Sequence, residues 1–232
     1  MSNRYLLHIA NKNYSSWSLR PWLLLSELGI PFEDCMTPFA EEPSSNRTAF
    51  AVFSPSGKVP CLHDGDMVVW DSLAIIEYVA ESHPGVWPAD APARAWARCA
   101  SAEMHAGFSA LRTQCPMNCG IRLRLHEMPA DLQRDLQRID ELWRDGLGHF
   151  GGPFLAGGHF GAVDAFYAPV AFRMQSYGLE LGNIAMTYAQ RLRDLPSMRR
   201  WYAEALAETW RDRAHDAAIL RSGELIEDSR AT

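Results

Sequence analysis

Hydrophobic positions in the first third of the chain switch between short runs and spaced stripes. Tyr5-Leu-Leu-His-Ile-Ala10 is an unbroken apolar run of strand length. After an Asn-Lys-Asn loop, Leu19, Trp22, Leu23 and Ser26 recur at helical spacing, and Gly29 followed by Pro31 closes that segment. Pro21 is tolerated only in a first turn, so this helix is expected to begin between Ser16 and Ser18. Phe32 to Met36 reads as a second strand. Ser44 to Phe53 has no clear period and predicts a short helix or an irregular piece. Cys61-Leu62 and Met67 to Trp70 read as strands around His63-Asp-Gly-Asp66, whose Asp-Gly pair suits a hairpin turn. Asp71 and Ser72 are good N-cap residues ahead of Leu73 to Ala80, which reads as a helix. The order βαβα, then ββα, predicts a small α/β sandwich.

The pattern changes after Ser82. Residues 82–92 hold three prolines and one glycine, the composition of a linker. Beyond them strand-like runs disappear and helical stripes take over. Ala97, Ala100, Met104, Phe108 and Leu111 form one apolar stripe, predicting one long helix over Arg94 to Thr113. Its polar face carries Arg98, His105 and Arg112 and reads as solvated or dimer-facing. Leu132, Leu136, Ile139, Trp143 and Leu147 form a second stripe. A glycine-rich loop over 150–159 precedes a helix from about Ala162, which Pro169 should kink. Pro196 opens a last clear helix, and Glu224 to Thr232 reads as a frayed tail. The expected domains are 1–82, α/β, and 93–232, all-α, joined by a linker over 83–92.

Composition narrows the function classes. The chain has 232 residues, 47% of them hydrophobic, and a net charge of −6. A mild acidic excess without a Lys/Arg cluster argues against nucleic acid. No apolar run approaches the ~20 residues of a membrane span, and the start lacks the apolar stretch of a signal peptide. Five cysteines are an odd number for a disulfide framework. They read as reduced thiols, and the location as cytoplasmic. Cys115 and Cys119 have no second pair or nearby histidine to complete a zinc site, so no metal is expected.

The candidate chemistry lies in two stretches. Tyr14-Ser-Ser-Trp-Ser-Leu-Arg20 spans the junction of the first strand and first helix. Ser54 to Ser72 holds Lys58, the Val59-Pro60 pair, the hairpin and Asp71-Ser72. Proline cannot donate to a sheet ladder, yet Pro60 heads a strand. A cis Val59-Pro60 bond is expected, turning the Val59 backbone toward a ligand. The serines and Asp71 serve equally as plain helix caps, and Lys58 as a solvated loop lysine.

In its order of Val-Pro, hairpin and acidic-Ser, this segment resembles the soluble glutathione transferases. The resemblance covers nearly the whole chain and implies a thioredoxin-like N-terminal domain with an all-α C-terminal domain. Phe154-Leu-Ala-Gly ahead of Gly161-Ala-Val-Asp164 resembles the family's buried capping segment, with glycine in place of the usual hydroxyl residue. A serine at 161 is therefore expected to stabilise the fold. The resemblance implies that Val59 and Pro60 anchor the cysteinyl part of glutathione, and that Asp71 and Ser72 hold its γ-glutamyl end. It offers Lys58 to the glycyl carboxylate. Ser-Ser-x-Ser-x-Arg is similar to the Ser-Ser-Cys-x-x-Arg motif of the zeta class. Counting back from Arg20 puts Ser15 at the sulfur-facing serine, with Ser16 the neighbouring candidate. Trp17 stands where that class has cysteine, and Tyr14 and Trp17 are expected at the pocket of a small hydrophobic electrophile. The implied function is conjugation of glutathione, as co-substrate, by a homodimer. The alternatives are a maleylacetoacetate-type isomerase and a non-catalytic binding protein of the same fold.

Overall fold

In the computed structural model of the chain, which describes residues 5–40 and 42–231, the predicted N-terminal elements are all present. The first four residues and Thr232, part of the readings above, lie outside the described residues. Strand β1 (Tyr5–Ile9) leads through the 11–15 loop into α1 (Ser16–Glu27). Gly29 follows α1 with φ +64, the left-handed conformation that ends helices at low cost. Then come β2 (Phe32–Met36), a 3₁₀ turn over Pro43–Ser45, α2 (Asn46–Phe50), β3 (Cys61–Asp64), β4 (Met67–Val69) and α3 (Ser72–Ser82). The sheet order is β2-β1-β3-β4, with β1 parallel to β2 and antiparallel to β3. Leu7 and Ile9 of β1 pack with Leu19, Leu23, Ile75 and Ile76 of the two long helices in the core.

The C-terminal half comprises α4 (Ala91–Ala106), α5 (Ser109–Gln114), β5 (Ile121–Leu125), α6 (Ala130–Phe150), α7 (Ala162–Tyr177), α8 (Asn183–Asp194), α9 (Pro196–Ala207), α10 (Arg213–Ser222) and β6 (Gly223–Asp228). It departs from the sequence reading in two places. The long helix over Arg94 to Thr113 is two helices, because Phe108 takes φ +58 and buries its ring against Tyr167. Arg112 donates to the carbonyls of Met104 and Gly107 that the break frees, and Asp135 accepts the Leu111 N–H at 2.9 Å. The tail is not frayed over its described residues: β6 pairs antiparallel with β5, a small sheet inside an otherwise helical half. Helix α7 continues through Pro169 and is buried on nearly every face, packing on α1, α4 and α8.

The start of α7 is closed by Asp164. Its Oδ2 accepts Gly161 N–H at 3.0 Å, and its Oδ1 accepts Leu155 N–H at 3.0 Å and Tyr188 O–H at 2.7 Å. Gly161 is extended, with φ −149, so its backbone admits any residue. A Cβ there would meet the Val86 carbonyl at 3.1 Å, and that carbonyl is held by Ala162 N–H at 2.9 Å. The expected gain from a serine therefore gives way. A cap worth about 1 kcal/mol is offset by overpacking of about 1–3 kcal/mol. Gly161→Ala, with no capping gain, should lower the urea midpoint by the equivalent of about 1–2 kcal/mol. A raised midpoint would show that the Val86 carbonyl yields freely.

Candidate active site

Ser15 caps α1, its Oγ accepting the Ser18 N–H at 3.4 Å and donating to Ser18 Oγ at 2.7 Å. The helix start and the segment before β3 form two walls of one cleft of about 280 Å³. Tyr14, Ser15, Ser16 and Trp17 line one wall, and Gly57, Lys58 and Val59 another; Phe39, Asn46 and Phe50 complete it. The Val59–Pro60 bond is cis. Among the described residues the Val59 backbone pairs with no other backbone group, which leaves its N–H and C=O for a ligand. An α-helix start beside a hydroxyl and an unpaired extended backbone suits a peptide-like anion.

Asp71 and Ser72 lie beyond this lining. Asp71 caps α3, accepting the Leu73 N–H at 3.0 Å, and is exposed. Ser72 is buried and accepts from Arg20 Nη1 at 3.4 Å. Arg20, itself buried, lies 4.2 Å from the Trp17 ring centroid and so ties Ser72 to the cleft. Tyr14 turns its hydroxyl away: the phenol donates to Asp216 at 3.3 Å and accepts from Arg230 at 3.1 Å. Burial, then the Asp216 carboxylate, push its pKa up to about 12. Its hydroxyl is therefore a structural tie, and its ring is what the cleft sees.

Four residues beside the site were given no site role from sequence, which set His105 and Arg112 on a solvated or dimer-facing face. His105 reaches from α4 to Asp71 at 3.2 Å and stands edge-on to Trp17; burial lowers its pKa, opposed by Asp71. Arg112 lies 4.9 Å from the Trp17 ring. Arg173, on α7, donates to Ser16 Oγ at 3.3 Å. Arg20 entered only as a register mark. The signal for Arg173 was present: a charge inside a helix that is apolar on all sides needs a reason. The pairing of His105 with Asp71 had none, since the two belong to different elements.

A second, larger groove of about 900 Å³ runs beside Trp87 and Phe160. Its cations are already engaged, Arg94 by the Pro88 and Ala89 carbonyls and Arg98 by Glu77. Chemistry rather than size places the candidate site at the α1 start.

Comparison with known proteins agrees with this geometry. Residues 14–82 match the model of the glutathione S-transferase N-terminal domain, and residues 124–204 that of the C-terminal domain. The chain is 25% identical over 170 residues to glutathione S-transferase F14 of Arabidopsis thaliana, 69% of this chain and 66% of that protein. It is 34% identical over 59 residues to the dichloromethane dehalogenase of Methylorubrum extorquens, 25% of this chain and 20% of the relative. It therefore spans less than two thirds of either relative's length. Among solved structures, the theta class glutathione S-transferase of Xanthomonas axonopodis pv. citri, with glutathione bound, superposes with a TM-score of 0.62 at 22% identity, over 87% of this chain and 98% of that one. The Tau class enzyme of mango, Mangifera indica, gives 0.66 at 18% identity, over 94% and 100%. A thioredoxin-like sheet, a helical second half and two matching domain models make this chain a member of the glutathione S-transferase family.

Proposed function

We propose that the protein conjugates glutathione to a small, apolar electrophile through a thiolate held by a serine hydroxyl at the start of α1. The observation that carries this reading is the cleft itself, where Ser15 and Ser16 face the unpaired backbone of Val59. The Val59 backbone would pair with the cysteinyl peptide of glutathione, and Asp71 and Ser72 would hold the γ-glutamyl end. Lys58, exposed at the cleft mouth, would meet the glycyl carboxylate. A free thiol with pKa near ~8.5 is mostly protonated at neutral pH. A donated hydrogen bond and the α1 amides favour its anion. The thiol proton leaves to water, the sulfur attacks the electrophilic carbon, and the displaced group carries off the bonding electrons. Tyr14, Trp17, Phe39 and Phe50 supply an aromatic wall for that second substrate. In the same reading the chain is divided at 83–92, works as a homodimer and acts in a reducing, cytoplasmic compartment. The five free cysteines suit the reducing compartment.

The test is a calorimetric titration with glutathione, then assays with an aryl halide, maleylacetone and a mixed disulfide. Conjugation without disulfide reduction is expected, because the cleft lining contains no cysteine to carry a mixed disulfide. Absence of glutathione binding would overturn the reading in favour of a non-catalytic role. Fast maleylacetone turnover would favour isomerisation despite Trp17.

A further inference from the structure

The two adjacent serines at the head of α1 differ in what their hydroxyls are free to do. A serine hydroxyl has one hydrogen to give and two lone pairs. Ser15 gives its hydrogen to Ser18 Oγ at 2.7 Å, and Ser18 Oγ also accepts the Ala10 N–H at 3.3 Å. Together with the Ser18 N–H to Ser15 bond, this closes a buried cap. Ser16 instead accepts from Arg173 Nη2 at 3.3 Å, and among the described residues its hydrogen has no acceptor. It enters the cleft with a free donor and a cation behind its oxygen.

The charge around it points the same way. Arg20, Arg112 and Arg173 converge on the start of α1, and among the described residues each donates only to neutral groups. Arg20 donates to Ser72 Oγ, Arg112 to the Met104 and Gly107 carbonyls and to Met104 Sδ, and Arg173 to the Cys115 carbonyl at 2.8 Å and Ser16. The buried Arg20 Nε has no partner at all among the described residues. The other titratable neighbours are Lys58 on the loop, exposed Asp71 with His105 against it, Asp135 near Arg112, the buried Tyr167, Tyr177, Cys115 and Cys119, and Tyr14 bound to Asp216 and Arg230. Burial, then Arg112, push Arg173 down to about 10, which leaves it charged at neutral pH. Buried guanidiniums with no carboxylate in direct contact are costly. Glutathione brings a γ-glutamyl carboxylate to Ser72, beside Arg20, and a thiolate to the α1 start, where Arg173 holds Ser16.

We infer that Ser16, rather than Ser15, donates the hydrogen bond to the glutathione thiolate, with Arg173 as a positioning residue that orients Ser16 and lends it uncompensated positive charge. This rests on the glutathione transferase reading. Ser15 then belongs to the helix cap, and the thiol proton leaves to water while Ser16 keeps its own hydrogen.

The experiment is an ultraviolet thiolate titration of the enzyme–glutathione complex, with calorimetric Kd and a thermal melt for each variant. Ser16→Ala should raise the bound thiol pKa by about one unit or more, a tenfold change in thiolate fraction below the pKa, with Kd within about threefold. Arg173→Met should raise it by a similar amount and Arg173→Lys by less. The double variant should add little to Ser16→Ala, because the two act through one hydroxyl. Ser15→Ala should lower the melting temperature and leave the bound pKa in place. A raised pKa in Ser15→Ala with none in Ser16→Ala overturns the inference and leaves the transferase reading intact. Should Arg173→Met fail to fold, Arg173→Lys decides its part, and a bound pKa and pH–rate profile unchanged in that variant removes Arg173. If the wild type binds no glutathione, or binds it with the pKa of the free thiol, the transferase reading itself fails and takes this one with it.

Discussion

Asp164→Ala should lower the unfolding free energy by about 3–5 kcal/mol. The loss leaves the buried donors Leu155 N–H, Gly161 N–H and Tyr188 O–H without an acceptor, at about 1–3 kcal/mol each before relaxation. Those donors belong to the glycine-rich loop, the start of α7 and α8, so one carboxylate joins three segments. Its pH dependence is distinctive. Burial outweighs the donors and pushes the Asp164 carboxyl up to about 6. An acid whose folded pKa exceeds the unfolded value of ~3.9 binds more protons when folded, so its contribution is full below ~3.9 and falls as pH rises through about 6. The stability gap between wild type and Asp164→Ala, from urea unfolding, should therefore be wider near about pH 4.5 than near about pH 7.5. A gap that narrows on acidification would mean that the donors outweigh burial after all.

The second large effect is expected from Asp216→Ala, which joins stability to turnover. Asp216 accepts from Arg230 at 2.8 and 2.7 Å, from Asn118 at 3.0 Å and from Tyr14 at 3.3 Å. Removing it leaves Asp228 as the one carboxylate on Arg230 among the described residues, and the Asn118 and Tyr14 donors unmatched. Loss of one partner from a mostly buried ion pair costs about 3 kcal/mol. Tyr14 directly precedes the two serines, so its release should shift the α1 start. A displacement of about 1 Å costs up to a hundredfold in rate, and kcat for an aryl halide should fall about ten- to hundredfold. Retained turnover at reduced stability would separate this tie from the chemistry.

Much of the N-terminal half was legible because its elements meet their neighbours in sequence. The run Tyr5–Ile9, the stripe through Leu19 and Leu23, and the Asp-Gly hairpin each carry their own period or turn signal. The C-terminal half was less so. Ile121-Arg-Leu-Arg-Leu125 does alternate, with Ile121 and Leu123 buried, but its partner strand begins about a hundred residues later and is exposed along most of its length. The break at Phe108 is decided by where one ring packs, which no local propensity records. Of the cleft lining, the α1 serines were readable from a strand–helix junction, and Lys58 and Val59 from the Val-Pro pair that heads β3. The arginines around them were not, since Arg173 reaches Ser16 from 157 positions away.

The loop that carries the α1 start is held by the far end of the chain. Glu208 accepts the Lys12 N–H across 196 positions, Tyr14 meets Asp216 across 202, and Arg230 meets Tyr14 across 216. Contacts of such separation form only after the intervening chain has ordered, because closing a long loop is repaid only by contacts already near at hand. The sheet with α1 and α3, and the α6–α8 helices, can each collapse on nearer neighbours first. During refolding the sheet with α1 and α3, and the α6–α8 helices, should therefore close before the 11–15 loop is fixed. Competence to bind glutathione should be the last property to return.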